Sequence, residues 1–248
     1  MNDPSKKPSG LLYIVALLSL LTSCGEKVDH IMVAAGGGYK KPVMEYCEYF
    51  TRETGIEVNT IFGNMQTISM QVKQSGEVGV LVGDRKFLAN PAIGVEYSAY
   101  DLLGKGKLVL AYPKDTVLTG PEDLLDDSIT QISMPDTKKA IYGIAGMEYL
   151  QSLGYWEALS GKMLIAATVP QVSSYLISGE IDAGFINLTD AIGIENQIGG
   201  YIEVEELYSP IEIVAGTVDG FESNPGIEEF IDYLDTDEAT AIFRSYGL

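Results

Sequence analysis

The chain has 248 residues, of which 46% are hydrophobic and 21% are charged, a composition that supports a buried core and argues against intrinsic disorder. Sixteen Lys and Arg against 35 Asp and Glu give a formal charge of −19, which disfavours nucleic acid and anionic membrane surfaces as partners. Two cysteines cannot form a disulfide framework, and a single histidine leaves little room for histidine-based metal or triad chemistry.

The first 24 residues have the pattern of an export signal. The basic pair Lys6-Lys7 precedes an apolar run over 11–21, which is too short to span a bilayer and is typical of a signal peptide. The tetrapeptide LTSC, ending at Cys24, resembles the bacterial lipobox, which implies cleavage before Cys24 and lipidation of its sulfur. We therefore predict a signal peptide over 1–23, a tether over 24–29 and a lipid anchor on the periplasmic or extracellular side of a membrane.

The rest of the chain alternates short apolar runs with helical periods. Strands are predicted at 31–35, 56–62, 78–82 and 107–112, then, after the chain crosses into a second lobe, at 129–134, 163–167 and 183–186. A further apolar run at 211–215 is expected to return the chain to the first lobe. Helices are predicted from Pro42, from Asn64, and over 140–153, 171–178, 227–234 and 238–246. This order predicts α/β architecture with mainly parallel sheets, a first lobe of 30–108 plus 213–248 and a second lobe of 109–212.

Ligands in open α/β sheets bind beyond the carboxyl ends of the strands, so cleft loops are expected at 35–41, 63–67, 135–143 and 187–190. Gly36-Gly37-Gly38 lies between a strand and a helix, where free backbone N–H groups and the helix dipole favour an anion. Lys40 and Lys41 oppose that dipole, a conflict that a bound anion would relieve; alternatively, both point to solvent. The loop matches neither a Walker motif nor a dinucleotide fingerprint.

The other loops offer neutral hydrogen-bond donors. Asn64 either caps its helix or contacts a ligand, and Tyr142 and Asn187 can donate without carrying charge. A neutral site suits an acidic protein that must bind an anion and release it. His30 is expected to be structural, Cys47 to be inert core, and no nucleophile elbow occurs, so neither an enzyme, a cofactor nor a metal with protein ligands is expected.

Five sequence stretches carry a family resemblance. They are VAAGGGYKKP at 33–42, FGNMQT at 62–67, GVLVGD at 79–84, SGEIDAGFINLTDA at 178–191 and EATAIFRSYGL at 238–248. On these motifs the chain resembles the molybdate- and tungstate-binding family of periplasmic solute-binding proteins, which serve ABC importers. The resemblance implies a two-lobe type II periplasmic binding protein fold with the ligand cleft between the lobes.

The ligand loops depart from the pattern of that family at three places. Gly38 stands where the family has Ser, Gly63 to Gln66 replaces a Ser-rich run, and Asn187 replaces a Tyr that contacts the oxyanion. Asn64, Gln66, Tyr142 and backbone N–H groups are expected to replace the missing hydroxyl donors. The predicted ligand-binding residues are Gly36, Gly37, Gly38, Asn64, Met65, Gln66, Tyr142, Gly143, Val169 and Asn187.

The leading hypothesis is a lipid-anchored, monomeric substrate-binding protein of an ABC importer that holds molybdate or tungstate through neutral donors and presents it to a membrane permease. One alternative is a sensor or interaction lipoprotein that keeps the fold without transport, which the replaced hydroxyl donors motivate. Another is a binding protein for a different small ligand, since Met65 is compatible with a less polar one.

Overall fold

The computed structural model of the chain describes residues 30–248, so the predicted signal peptide, Cys24 and the tether lie outside the described residues. The strands form two five-stranded sheets. The first has the order β2-β1-β3-β10-β4 and comprises β1 (His30–Gly36), β2 (Glu57–Gly63), β3 (Val80–Asp84), β4 (Tyr97–Gly106) and β10 (Ile211–Val218). The second has the order β7-β6-β8-β5-β9 and comprises β5 (Leu108–Tyr112), β6 (Ile132–Pro135), β7 (Met163–Ala166), β8 (Ala183–Asn187) and β9 (Gly200–Glu203).

Helices cover the sheets and lead into or out of most strands. The α-helices are α1 (Lys40–Thr54), α2 (Met65–Ser75), α3 (Arg85–Leu88), α4 (Ile141–Ser152), α5 (Trp156–Leu159), α6 (Val169–Ser178), α7 (Leu188–Ile194), α8 (Pro225–Asp232) and α9 (Asp237–Ser245). Short 3₁₀ helices occur at Gly37–Tyr39, Pro91–Ile93, Pro121–Leu125, Ser160–Lys162 and Tyr233–Asp235. Among residues 30–248, no helix combines the length and apolar character needed to cross a membrane.

The expectation of mainly parallel sheets is wrong, because both sheets are mixed. β1 pairs in parallel with β2 and β3, and β6 with β7 and β8. β10 is antiparallel to β3 and β4, and β5 is antiparallel to β8 and β9. β5 and β10 begin at the edge of their sheet where the chain crosses between the lobes, whereas the parallel strands end at that edge. β5 and β10 therefore run in the opposite direction to the parallel strands.

The chain passes between the two sheets twice. It leaves the first sheet after Gly106 and enters the second at Leu108, and it returns between Glu203 and Ile211. The fold is therefore the two-lobe α/β arrangement that the resemblance implied, with the first sheet built from both halves of the chain. The exact boundaries of the lobes at 108/109 and 212/213 stay a prediction.

Aromatic packing ties the C-terminal helices to the first lobe. The Tyr46 ring on α1 lies 4.9 Å, between centroids, from Phe230 on α8, and Phe50 lies 5.2 Å from the same ring. Both side chains are fully buried. Truncation of such a buried aromatic side chain to Ala lowers the free energy of unfolding by roughly 3–5 kcal/mol. Gly55, with φ of 77°, ends α1 in the left-handed conformation that glycine adopts without strain.

Candidate functional site

A cavity of about 40 Å³ lies between the lobes, at the carboxyl ends of β1, β2, β6 and β7. Its lining comprises Gly36, Gly37, Gly38, Tyr39, Gly63, Asn64, Met65, Ala140, Ile141, Tyr142, Ala167, Thr168, Val169 and Pro170. Pockets for drug-sized ligands measure about 300–1,000 Å³. The cavity therefore suits a ligand of only a few atoms.

Four helical segments begin at this cavity. They are the 3₁₀ helix at Gly37 that continues into α1, α2 at Met65, α4 at Ile141 and α6 at Val169. The first N–H groups of a helix have no partner within the helix, and each helix dipole places about half a positive charge at that end. Four such ends around one small cavity favour a negatively charged ligand.

The wall of the cavity is uncharged. Its polar side chains are those of Tyr39, Asn64, Tyr142 and Thr168, and the described residues place no Lys, Arg, Asp or Glu in the lining. Positive potential at the site therefore comes from backbone dipoles and neutral donors rather than from cations, which agrees with the sequence-based expectation of a neutral site.

Two tyrosines close one side of the cavity across the lobes. The hydroxyl oxygens of Tyr39 and Tyr142 are 2.7 Å apart, and both side chains are almost fully buried. Burial raises the pKa of Tyr39 and of Tyr142 well above the ordinary tyrosine value, so both phenols stay protonated at physiological pH. One hydroxyl proton is used within the pair, and the other remains available to a ligand.

Asn64 both caps a helix and bridges the lobes. Its Oδ1 accepts the N–H of Gln66 at 2.9 Å, which caps α2, while its Nδ2 donates to the Ala167 carbonyl at 3.2 Å. Thr168 caps α6 in the same way by accepting the N–H of Gln171 at 3.3 Å. The caps thus hold polar side chains at the cavity wall.

Asn187 lies behind the glycine loop and outside the cavity lining. It is fully buried, and its Nδ2 donates to the Gly38 carbonyl at 3.0 Å. Its Oδ1 has no hydrogen-bond partner within residues 30–248. A Cβ on Gly38 would lie 2.6 Å from that oxygen, so any larger residue at position 38 would force the loop or the Asn187 side chain to shift.

The predicted site residues thus separate into two groups. Gly36, Gly37, Gly38, Asn64, Met65, Tyr142 and Val169 line the cavity. Gln66 faces a neighbouring groove, Gly143 donates its N–H to Ala140 within the first turn of α4, and Asn187 supports the first loop from outside. Their roles in ligand binding stay predictions.

Residues singled out for charge or reactivity lie away from the cavity. Lys41 donates its ammonium group to the Gly193 carbonyl of the other lobe, and the Lys40 ammonium lies 5.7 Å from the centre of the Phe62 ring. Burial raises the pKa of the Cys47 thiol to about 12, which keeps it protonated. His30 is exposed at the start of β1.

Tyr39 lies in a cleft loop expected from the sequence but was not predicted as a site residue, and Thr168 was missed altogether. The sequence does predict a helix start at Thr168. The stretch Thr168-Val169-Pro170-Gln171 combines a capping Thr, a Pro in the first turn and a Gln three residues after the cap. That pattern begins α6 directly after β7, at the edge of the sheet where ligands bind.

The family model for bacterial extracellular solute-binding proteins matches residues 31–248 of the sequence. The chain belongs to this family. Membership in a family of binding proteins agrees with the expectation that the chain is not an enzyme.

The similarity of this solute-binding protein to its relatives extends over nearly its whole length. It is 26% identical over 239 residues to the molybdate-binding protein ModA of Rhodobacter capsulatus, covering 95% of this chain and 93% of the relative. It is 24% identical over 254 residues to the putative ABC transporter substrate-binding lipoprotein YvgL of Bacillus subtilis, covering 95% and 96%. The resemblance drawn from the motifs is therefore confirmed.

A solved structure shows the same fold. The periplasmic molybdate-binding protein of Azotobacter vinelandii superimposes with a TM-score of 0.79 at 23% identity, over 88% of this chain and 97% of that chain. This likeness establishes the two-lobe fold of the solute-binding protein and leaves the ligand to be argued from the cavity.

Proposed function

We propose that this solute-binding protein captures a small tetrahedral oxyanion, molybdate or tungstate first, and delivers it to an ABC importer. The observation that carries the proposal is the uncharged cavity of about 40 Å³ at which four helical segments begin. The names of the relatives in Rhodobacter and Azotobacter support molybdate as the ligand.

Binding of the anion would exchange its hydration shell for fixed donors. The free N–H groups at the helix ends, one tyrosine proton and the amide of Asn64 supply donors from both lobes, so the anion joins the lobes as it binds. A site of this kind selects ligands strongly, because a wrong ligand leaves buried polar groups unpaired. Hydrogen phosphate carries a proton that needs an acceptor, so it is expected to bind more weakly than molybdate.

Delivery would involve a membrane permease and a lipid anchor. The name of the YvgL relative supports lipidation, for which Cys24 is the candidate. A monomer on the periplasmic or extracellular side is the simplest arrangement, since one chain contains both walls of the cavity. Cys24→Ala should shift the protein from the membrane fraction to the soluble fraction, and a variant that stays membrane-bound would contradict lipid anchoring.

A thermal-shift series tests the ligand. Purified, dialysed protein is heated with molybdate, tungstate, sulfate or phosphate, each in a concentration series. A ligand at 100 times its Kd adds about 2.7 kcal/mol, which is roughly 5–10 °C for a chain of this size. A shift with molybdate or tungstate alone supports the proposal. No shift with any of the four would contradict it and favour the sensor or different-ligand alternatives.

A further inference from the structure

A second, larger groove of about 580 Å³ opens between the same two lobes beside the oxyanion cavity. Ile141 lines both spaces, and Lys139 of the groove is followed directly by Ala140 of the cavity wall. Gln66, at the start of α2, faces the groove, while its neighbour Met65 faces the cavity. The groove therefore adjoins the cavity.

Three lysines face this groove. Lys86 lies on α3, and Lys138 and Lys139 lie in the turn before α4; all three are exposed. The backbone N–H groups of Lys138 and Lys139 donate to Asp136 Oδ1 at 2.8 and 3.0 Å, which fixes that turn. None of the three ammonium groups takes part in a salt bridge within the described part of the chain.

The two carboxylates of the groove accept hydrogen bonds from neighbouring residues. Asp84 is 6% exposed and accepts the N–H of Phe87 at 2.9 Å, and burial raises its pKa. Glu148 accepts the N–H of Ser209 at 2.7 Å and the Ser209 hydroxyl at 3.3 Å. The lining thus carries three ammonium groups against two carboxylates, a formal surplus of one positive charge, and the lysines are its exposed charged members.

That surplus contrasts with the rest of the molecule. The chain has a formal charge of −19, so its long-range field repels an anion, and the cavity itself has no charged side chain to counter this field. A local positive patch beside a cleft concentrates anions and raises the rate of association. The groove with its three lysines adjoins the cavity, so it lies where such a patch would act on an approaching anion.

We propose that the groove lined by Lys86, Lys138 and Lys139, termed here the capture groove, is a second anion-binding site. It holds a small inorganic oxyanion weakly, by charge alone, before the anion passes into the neutral cavity. This inference rests on the proposed function. It divides the work between two sites: the lysines set the association rate, and the neutral donors set the dissociation rate and the selectivity.

The test compares two triple variants of equal charge. K86Q/K138Q/K139Q removes the lysines of the capture groove, and K73Q/K105Q/K114Q removes three exposed lysines that do not line it. Association and dissociation of tungstate are measured by stopped-flow tyrosine fluorescence at low and high ionic strength, with the equilibrium affinity of the wild type measured by calorimetry.

The capture-groove variant should associate about tenfold more slowly than the wild type at low salt, with a dissociation rate within about twofold. The control variant should change by less than about threefold, and the difference should vanish near 1 M salt, where charges are screened beyond roughly 3 Å. Equal slowing in both variants, or a loss that lies in the dissociation rate, would overturn the capture groove while leaving the proposed function intact. A wild type that binds none of the anions would overturn both.

Discussion

Asn64 is the residue at which helix capping and the proposed ligand binding meet. Asn64→Ala removes the acceptor for the Gln66 N–H and the donor to Ala167. The free energy of unfolding should fall by about 1 kcal/mol, as for other lost caps, and tungstate should bind more weakly. Urea unfolding and calorimetric titration measure the two effects.

Asn64→Asp separates the two roles. Aspartate keeps the cap, so α2 should stay as stable as in the wild type. It loses the donor to the Ala167 carbonyl and places a carboxylate at the cavity wall, which should weaken the contact between the lobes and abolish anion binding. If the Asp variant bound tungstate as tightly as the wild type, Asn64 would be a cap and nothing more.

Gly38 and Asn187 form a matched pair whose fit can be measured. Gly38→Ala would place a methyl group 2.6 Å from the Asn187 Oδ1, so the free energy of unfolding should fall by about 1–3 kcal/mol. Gly161→Ala is the control, since no atom lies within 4 Å of a Cβ there. Adding Asn187→Ala should relieve part of the loss in a double-mutant cycle. Strictly additive effects would show that the two residues do not oppose each other.

At the level of elements, α1 and the C-terminal end of α7 hold the lobes together through Lys41 and the Gly193 carbonyl. Lys41→Met removes this bond, which is worth about 0.5–1.5 kcal/mol net. The lobes should then open more often without ligand, seen as a larger radius of gyration in X-ray scattering, and the apparent affinity should fall accordingly.

Lys40→Met is the matched control for that experiment. It removes the same charge from the adjacent position, but the Lys40 ammonium lies over Phe62 of its own lobe. Equal changes in both variants would mean that charge, and not the bond between the lobes, is responsible.

The sequence allowed the interior elements to be predicted better than the edges. β1 and β3 are continuous apolar runs because both of their faces are buried, and Gly55 marks the end of α1. β4 was missed because it is an edge strand whose exposed and half-buried residues follow no simple alternation. β9 was also missed, and it too lies at the edge of its sheet. The segment Leu188–Ile194 is helical, although part of it was expected to be a loop.

The cavity was predicted in part for a related reason. The position of a loop after a strand identified Gly36–Gly38, Asn64 and Tyr142. Tyr39 lies in the expected cleft loop, but its role was missed because it depends on a partner 103 positions away, the hydroxyl of Tyr142, which no local pattern reveals. The same holds for Asn187, whose contact with Gly38 is set by the way the two lobes meet.

For the whole molecule, the charge of −19 should make stability depend on salt. The 29 residues outside the described part contain three lysines and three acidic residues, so residues 30–248 carry the same net charge. Screening reduces the repulsion within the folded chain, and the melting temperature should rise with NaCl. K73Q/K105Q/K114Q is more acidic and should show a larger rise; a flat or falling melting temperature in differential scanning calorimetry would contradict this.

The position of β10 has a consequence for the order in which the molecule assembles. β10 lies between β3 and β4 in the first sheet, yet it pairs Ile213 with Asp84 across more than half of the described chain. Contacts of such long sequence separation form slowly, and until they form the edges of β3 and β4 are left open to other strands. The second sheet needs no residue beyond Glu203 and can be complete before β10 is synthesised. The wall of the cleft that carries the glycine loop is therefore finished last, and a ribosome must make nearly the whole polypeptide before either lobe has a counterpart to close against.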